Sequence, residues 1–171
     1  MSFIQHDQNG LVYHTASVLE HEGIVHGFST RFGGVSEGYC ASLNFRGSGP
    51  DPDDPANVRE NYRRFCTALG ADLEKLTLSK QVHEDTVRHV TAEDAGKGLL
   101  RPSDYTADAL VTNEPGMSLM VFSADCIILL FHDPVTGAVG AVHAGWRGTA
   151  AAIGAKVVEA MGRHAGWIAL Y

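Results

Sequence analysis

Cys126, in FSADCIILLF, and His143, in AVGAVHAGWRGT, are the residues whose types could do chemistry together. A thiolate and an imidazole are good zinc ligands, and equally a nucleophile and its general base. IILLFH and AVGAVH read as strands, and DPVTG between them supplies the turn residues Asp133, Pro134 and Gly137, which predicts a β-hairpin. If the hairpin closes symmetrically, Cys126 stands opposite His143 at its open end, with Cα atoms about 4.5–5.5 Å apart. No local CxxC or HxxxH completes a zinc set, so a packed cysteine beside a hydrogen-bonded histidine is the plain alternative. His83, His89, His26 and His132 all compete for a third ligand position, and spacing alone does not rank them.

The residues after His143 suggest an anion site. AGWRGT leads into a helix expected from Ala150 to Met161, with Thr149 as N-cap and Ile153, Val157 and Met161 as its apolar stripe. A strand, a glycine turn and a helix start together favour a phosphate or developing negative charge. Arg147 adds a cation suited to a bidentate oxyanion contact. HAGW occurs again at His164 to Trp167. That copy follows a helix and has no cysteine opposite it, so His164 is not expected to be a ligand.

Other elements must position these residues. A strand is expected at Ile24 to Thr30, followed by the glycine-rich loop RFGGVSEG. The helix of residues 55 to 69 has Asp54 as N-cap, Pro55 at its first position and Gly70 as its stop. Val58, Tyr62, Phe65 and Leu69 form its inner stripe, with Cys66 packed beside them. Further strands are expected at Leu76 to Ser79, Thr86 to Val90 and Ser118 to Phe122.

Composition narrows the function classes. The 171 residues fit one domain with a sizeable core, and the net charge of −7 gives no basic stripe for nucleic acid. No apolar run approaches the roughly 18 residues of a membrane span. The start, MSFIQHDQNG, lacks a signal-peptide pattern. Three widely spaced cysteines suggest a reducing compartment. The expectation is a cytoplasmic protein with no nucleic-acid or membrane partner.

GFSTRFGGVSEG, CASLNF, LSKQVHEDTV, ADALVTNEPGMSLMVFSADCIILLFHD and VGAVHAGWRGT together resemble the YfiH family. Its members are described as laccase-domain polyphenol oxidases, purine nucleoside phosphorylases and peptidoglycan-editing factors. The resemblance covers residues 24 to 160 or so. It implies an α+β fold, a mixed and antiparallel sheet core flanked by helices, incomplete at the C-terminus here. It implies His83, Cys126 and His143 as metal ligands, with the open fourth position of a catalytic zinc. The implied activity is phosphorolysis of adenosine, inosine, guanosine or methylthioadenosine, together with deamination of adenosine, for which an open zinc site can activate water. Cys126, His143 and Arg147 become the implied catalytic residues, and Arg31, Asn44, Gln81, Gly148 and Thr149 the substrate contacts. The partners are a purine nucleoside and phosphate, and the family expectation is a monomer.

Copper-dependent phenol oxidation is an alternative on the same scaffold, because thiolate and imidazole suit Cu2+ as well as Zn2+. Others are a Cys–His amide hydrolase in peptidoglycan editing and a non-catalytic, metal-braced fragment. The chain departs from the family pattern in three motifs. Ile128 replaces the proline of ADC-x-P, QVHE replaces QVHG, and LNFRGSGPD is looser than LNLG. Family chains continue past the last helix, whereas residues 157–171 resemble a phosphofructokinase segment, VMGRHAGWIAL. The expectation is a single, C-terminally truncated YfiH-type domain with an atypical tail, in which an exposed sheet edge permits association.

Overall fold

The computed structural model describes residues 2–47 and 51–164, with side chains described as far as Gly162. Two compact units are present, Met1–Leu73 and Glu74–Tyr171.

The first unit opens with a hairpin, β1 (Phe3–Gln8) and β2 (Leu11–Ala16), joined by Asn9 and Gly10. Both turn residues have positive φ, 55° and 85°, as a type I′ turn requires. A short β3 (Phe28–Ser29) pairs with β2. This is all that remains of the strand expected at Ile24 to Thr30. The preceding chain instead bends back, and the Ala16 N–H donates to His26 Nε2 at 2.8 Å.

Helix α1 (Pro55–Leu69) has the expected bounds, with the Asp54 side chain accepting the Ala56 N–H and Gly70 ending it in the left-handed region. Its inner face buries Val58, Tyr62, Phe65 and Cys66, while Leu69 is half-buried. Burial pushes the Cys66 thiol up to about 11, which makes it an inert packing group. Asn61 is also fully buried on this face. Its oxygen accepts the Val35 N–H at 2.9 Å, and its nitrogen donates to Ser36 Oγ and the Asn44 carbonyl, both at 2.8 Å. One helix residue therefore pins both the glycine-rich loop and the SLNF segment.

The second unit contains β4 (Leu76–Leu78), β5 (Val87–His89), β6 (Ala109–Thr112), β7 (Ser118–Met120), β8 (Ile127–His132) and β9 (Val139–Ala144). Strands β4 and β7 form a parallel pair, and the main sheet has the order β5-β6-β9-β8. Only the β5–β6 pairing in that sheet is parallel. Central β6 is buried along its whole length, so its alternate side chains feed two cores. Ala109 and Val111 pack with Val142, Ala144, Ile153, Val157 and Met161. Leu110 packs on the other side with Val90, Ala107 and Leu119.

The helical part differs from expectation. Helix α2 (Trp146–Ala150) starts directly after Gly145, and α3 (Ile153–His164) follows a break at Ala152, whose φ is 57°. Thr149 is therefore inside α2 rather than capping a helix: its N–H donates to the Gly145 carbonyl at 2.8 Å. The expected stripe of Ile153, Val157 and Met161 is buried as predicted. The second HAGW copy falls outside the described residues from Ala165 onward, as does the His164 side chain.

Candidate metal centre

Hairpin β8–β9 delivers two of the three candidate ligands. Its turn is set by Asp133, whose carboxylate accepts the Val135 N–H at 3.0 Å and the Thr136 hydroxyl at 2.7 Å. The Asp133 N–H donates to the Ala138 carbonyl, and this closure fixes the ladder. Ile128, not Cys126, is then opposite His143, and Ile127 is opposite Ala144. Direct opposition of Cys126 and His143 is thus corrected: Cys126 lies two residues before His143's partner. An offset of two keeps both side chains on the same face, where a slip of one would have separated them. They meet diagonally, within reach of side chains of this length.

His83 comes from the loop between β4 and β5. It takes a positive φ of 61°, a left-handed conformation that only a few per cent of non-glycine residues adopt, histidine among the more frequent of them. Its ring meets that of His143 edge-on, with centroids 4.7 Å apart at 88°. The ligand atoms of His83, Cys126 and His143 all lie within 4.8 Å of one another. His143 is buried, Cys126 half-buried and His83 exposed, so the cluster opens to solvent on the His83 side. Gly145 completes the surroundings. A Cβ there would sit 3.4 Å from His83, 3.5 Å from Cys126 Sγ and 3.7 Å from the His143 ring. Two imidazoles and a thiol converging beside a residue without a side chain suit a metal with nitrogen and sulfur preferences.

Asp108, which the sequence reading did not single out, is completely buried beneath this cluster. It accepts the N–H groups of Val82, His83 and Glu84 at 3.0–3.1 Å, and its Oδ1 lies 2.8 Å from His143 Nδ1. Burial pushes its carboxyl up, but the hydrogen bonds from Glu84, His143, Val82 and His83 prevail and hold it below the usual range. The signal in the sequence was a lone aspartate before a continuous apolar run, ADALVT, where charge needs a partner.

The remaining expected residues divide between the two units. Gln81 has both ends of its amide on the backbone of Phe122, accepting the N–H at 2.7 Å and donating to the carbonyl at 2.8 Å. It fastens the loop that carries Cys126. Gly148 is buried, and a Cβ there would lie 2.8 Å from the Glu84 carbonyl, so α2 can approach the His83 loop closely. Thr149 Oγ1 donates to the Ala144 carbonyl at 3.3 Å. Arg147 is exposed, with its guanidinium 5.1 Å from the centroid of the Trp146 ring. In the first unit, Arg31 donates to the Ala41 carbonyl, and Asn44 donates to the Asp53 carboxylate at 3.0 Å. His26, His89 and His132 are not members of the cluster, which includes His83.

Known proteins are similar to this chain in sequence and architecture. The profile of the family described as "Multi-copper polyphenol oxidoreductase laccase" matches residues 25–169, and so takes in most of the segment 157–171. A purine nucleoside phosphorylase of Deinococcus radiodurans is 42% identical over 138 residues, 81% of this chain and 50% of that protein. The purine nucleoside phosphorylase YlmD of Bacillus subtilis is 36% identical over 80% of this chain and 49% of its own length. The chain thus spans about half the length of these relatives. The crystal structure of YlmD from Geobacillus stearothermophilus superimposes with a TM-score of 0.80 at 33% identity, covering 95% of this chain and 60% of that one. YfiH of Bacillus licheniformis gives 0.72 at 34%, covering 82% and 52%. Sequence and fold agree: the chain belongs to the YfiH family, the multi-copper polyphenol oxidoreductase laccase family.

Proposed function

We propose that this chain carries the metal centre of a zinc-dependent purine nucleoside phosphorylase that also deaminates adenosine. The observation that carries this reading is the convergence of His83, Cys126 and His143 within 4.8 Å. It is supported by relatives 36% and 42% identical that are named purine nucleoside phosphorylases. When bound, zinc supplies a Lewis acid with a fourth position open to water or substrate. His83, Cys126 and His143 hold it, and the exposed side of the cluster admits the nucleoside. Arg147 supplies a cation for phosphate, with Gly148 and Thr149 in the same turn. Gln81 is a further substrate contact of this unit in this reading.

In phosphorolysis a phosphate oxygen bonds to the anomeric carbon as the bond to the purine nitrogen breaks. In deamination the oxygen of water replaces the exocyclic amine, which leaves as ammonia. The active form in this reading is a cytoplasmic monomer. No helix among the described residues is long and apolar enough to cross a membrane.

The test is adenosine turnover by the metal-loaded protein, with and without phosphate. Adenine formed only with phosphate, and inosine formed without it, are expected, both lost in Cys126→Ala. No turnover by folded, zinc-loaded protein overturns the proposal. A second reading, copper-dependent phenol oxidation, follows from the family's own description. Oxygen uptake with a phenol by the copper-loaded chain, without nucleoside turnover, would select it.

A further inference from the structure

The hydrogen bonds around Asp108 point to a single positioning residue for two of the three candidate ligands, an inference that rests on the metal-centre reading. We infer that Asp108 fixes the ring state of His143 and the backbone of the His83 loop at once, so that the proton of one ligand and the main chain of the other are preset before any metal arrives. Three consecutive N–H groups, from Val82, His83 and Glu84, converge on its two oxygens at 3.0–3.1 Å. A carboxylate receiving three donors is an acceptor toward the fourth group as well. His143 Nδ1, 2.8 Å away, therefore carries the ring proton, and Nε2 is left with its lone pair free for a metal. This is the arrangement by which an outer carboxylate selects the tautomer of a metal-binding histidine.

The same carboxylate also orders the other ligand. His83 holds a φ of 61°, and a non-glycine residue persists there only when its surroundings over-determine it. Three consecutive backbone donors on one buried carboxylate supply that constraint. The His143 N–H also donates to the Asp108 carbonyl at 2.7 Å, so the backbone register and the side-chain contact support each other. Arg147 and the exposed cluster face take no part in this set, so Asp108 acts on the ligands and not on substrate.

Asparagine cannot substitute. It offers one acceptor oxygen, so its amide nitrogen must face either the Val82 and Glu84 donors or the His83 N–H and His143. In the first case the loop is released. In the second, His143 Nδ1 becomes an acceptor and its proton moves to Nε2, the atom needed by the metal.

Two measurements test this. Nitrogen NMR of the metal-free wild-type protein is expected to place the His143 proton on Nδ1; a proton on Nε2 would overturn the inference without any variant. Zinc competition against a chromophoric chelator is then compared for wild type and Asp108→Asn. The variant is expected to bind about 10–100-fold more weakly. A folded Asp108→Asn protein with unchanged tautomer and zinc affinity also sinks the proposal. If wild type itself takes up no zinc, the metal-centre reading fails, while the tautomer still decides the role of Asp108.

Discussion

Gly145 shows how much a missing side chain can matter at the centre. Its φ of −65° and ψ of 170° are open to any residue, so backbone conformation does not require glycine there. The space beside the cluster tolerates one too: an added Cβ would meet all three candidate ligand residues at 3.4–3.7 Å, ordinary van der Waals contact, but would fill room beside the ligand atoms. Gly145→Ala is therefore expected to fold with a melting temperature close to wild type, yet to bind zinc more weakly and turn over adenosine more slowly. Unchanged metal affinity in a chelator competition would show that the space has no role. His83, Cys126 and His143 were legible because the whole YfiH pattern surrounds them. Asp108 was not, because its importance lies in four donors that come from other segments, and none of them is marked by residue type.

Among the elements, local chemistry decided what could be read. Asp54, Pro55 and Gly70 are short-range signals, and α1 has the bounds they predict. Asn9-Gly10 is an equally local signal for a hairpin, and β1–β2 is the hairpin it specifies. The start of α2 was illegible for a different reason. Thr149 is a good capping residue, but the helix begins as soon as β9 ends at Ala144 and leaves Gly145 as the cap. In hairpin β8–β9 the existence of the strands was plain, while the register depended on which carbonyl closed the loop. That closure is testable. Asp133→Ala removes the side-chain acceptor of the Val135 N–H and the Thr136 hydroxyl, for an expected loss of about 1 kcal/mol. Urea unfolding measures it, and zinc affinity should fall as well if the turn helps hold Cys126 beside His143.

At the scale of the molecule, charge inside the second unit links folding to pH. Asp94 is almost completely buried, accepting from Lys97 at 2.8 Å and from the Thr91 N–H at 3.0 Å, with Arg88 at 3.4 Å. Burial pushes its carboxyl up, but Lys97, the Thr91 N–H and Arg88 outweigh it and hold it below the ordinary range. A folded-state value below the unfolded one means a contribution fully present above about pH 4 and lost as pH falls through the folded value. Asp94→Asn is expected to lower stability near neutrality by about 1–3 kcal/mol and to flatten the acid limb of the stability profile. Parallel acid limbs for the two proteins would refute this.

The sheet order β5-β6-β9-β8 has a bearing on how metal and chain meet. His83 precedes β5, Cys126 precedes β8 and His143 lies in β9, so strand pairing brings together ligands from separate parts of the sequence. The nearest two, Cys126 and His143, are 17 positions apart, too far to act as a ready-made chelate in an unfolded chain. In the metal-centre reading, metal uptake would report that the sheet has assembled: a chain with unpaired strands offers only scattered donors, each a weak binder. On that reading the cluster works as an inspection mark, one that only a correctly paired sheet can display.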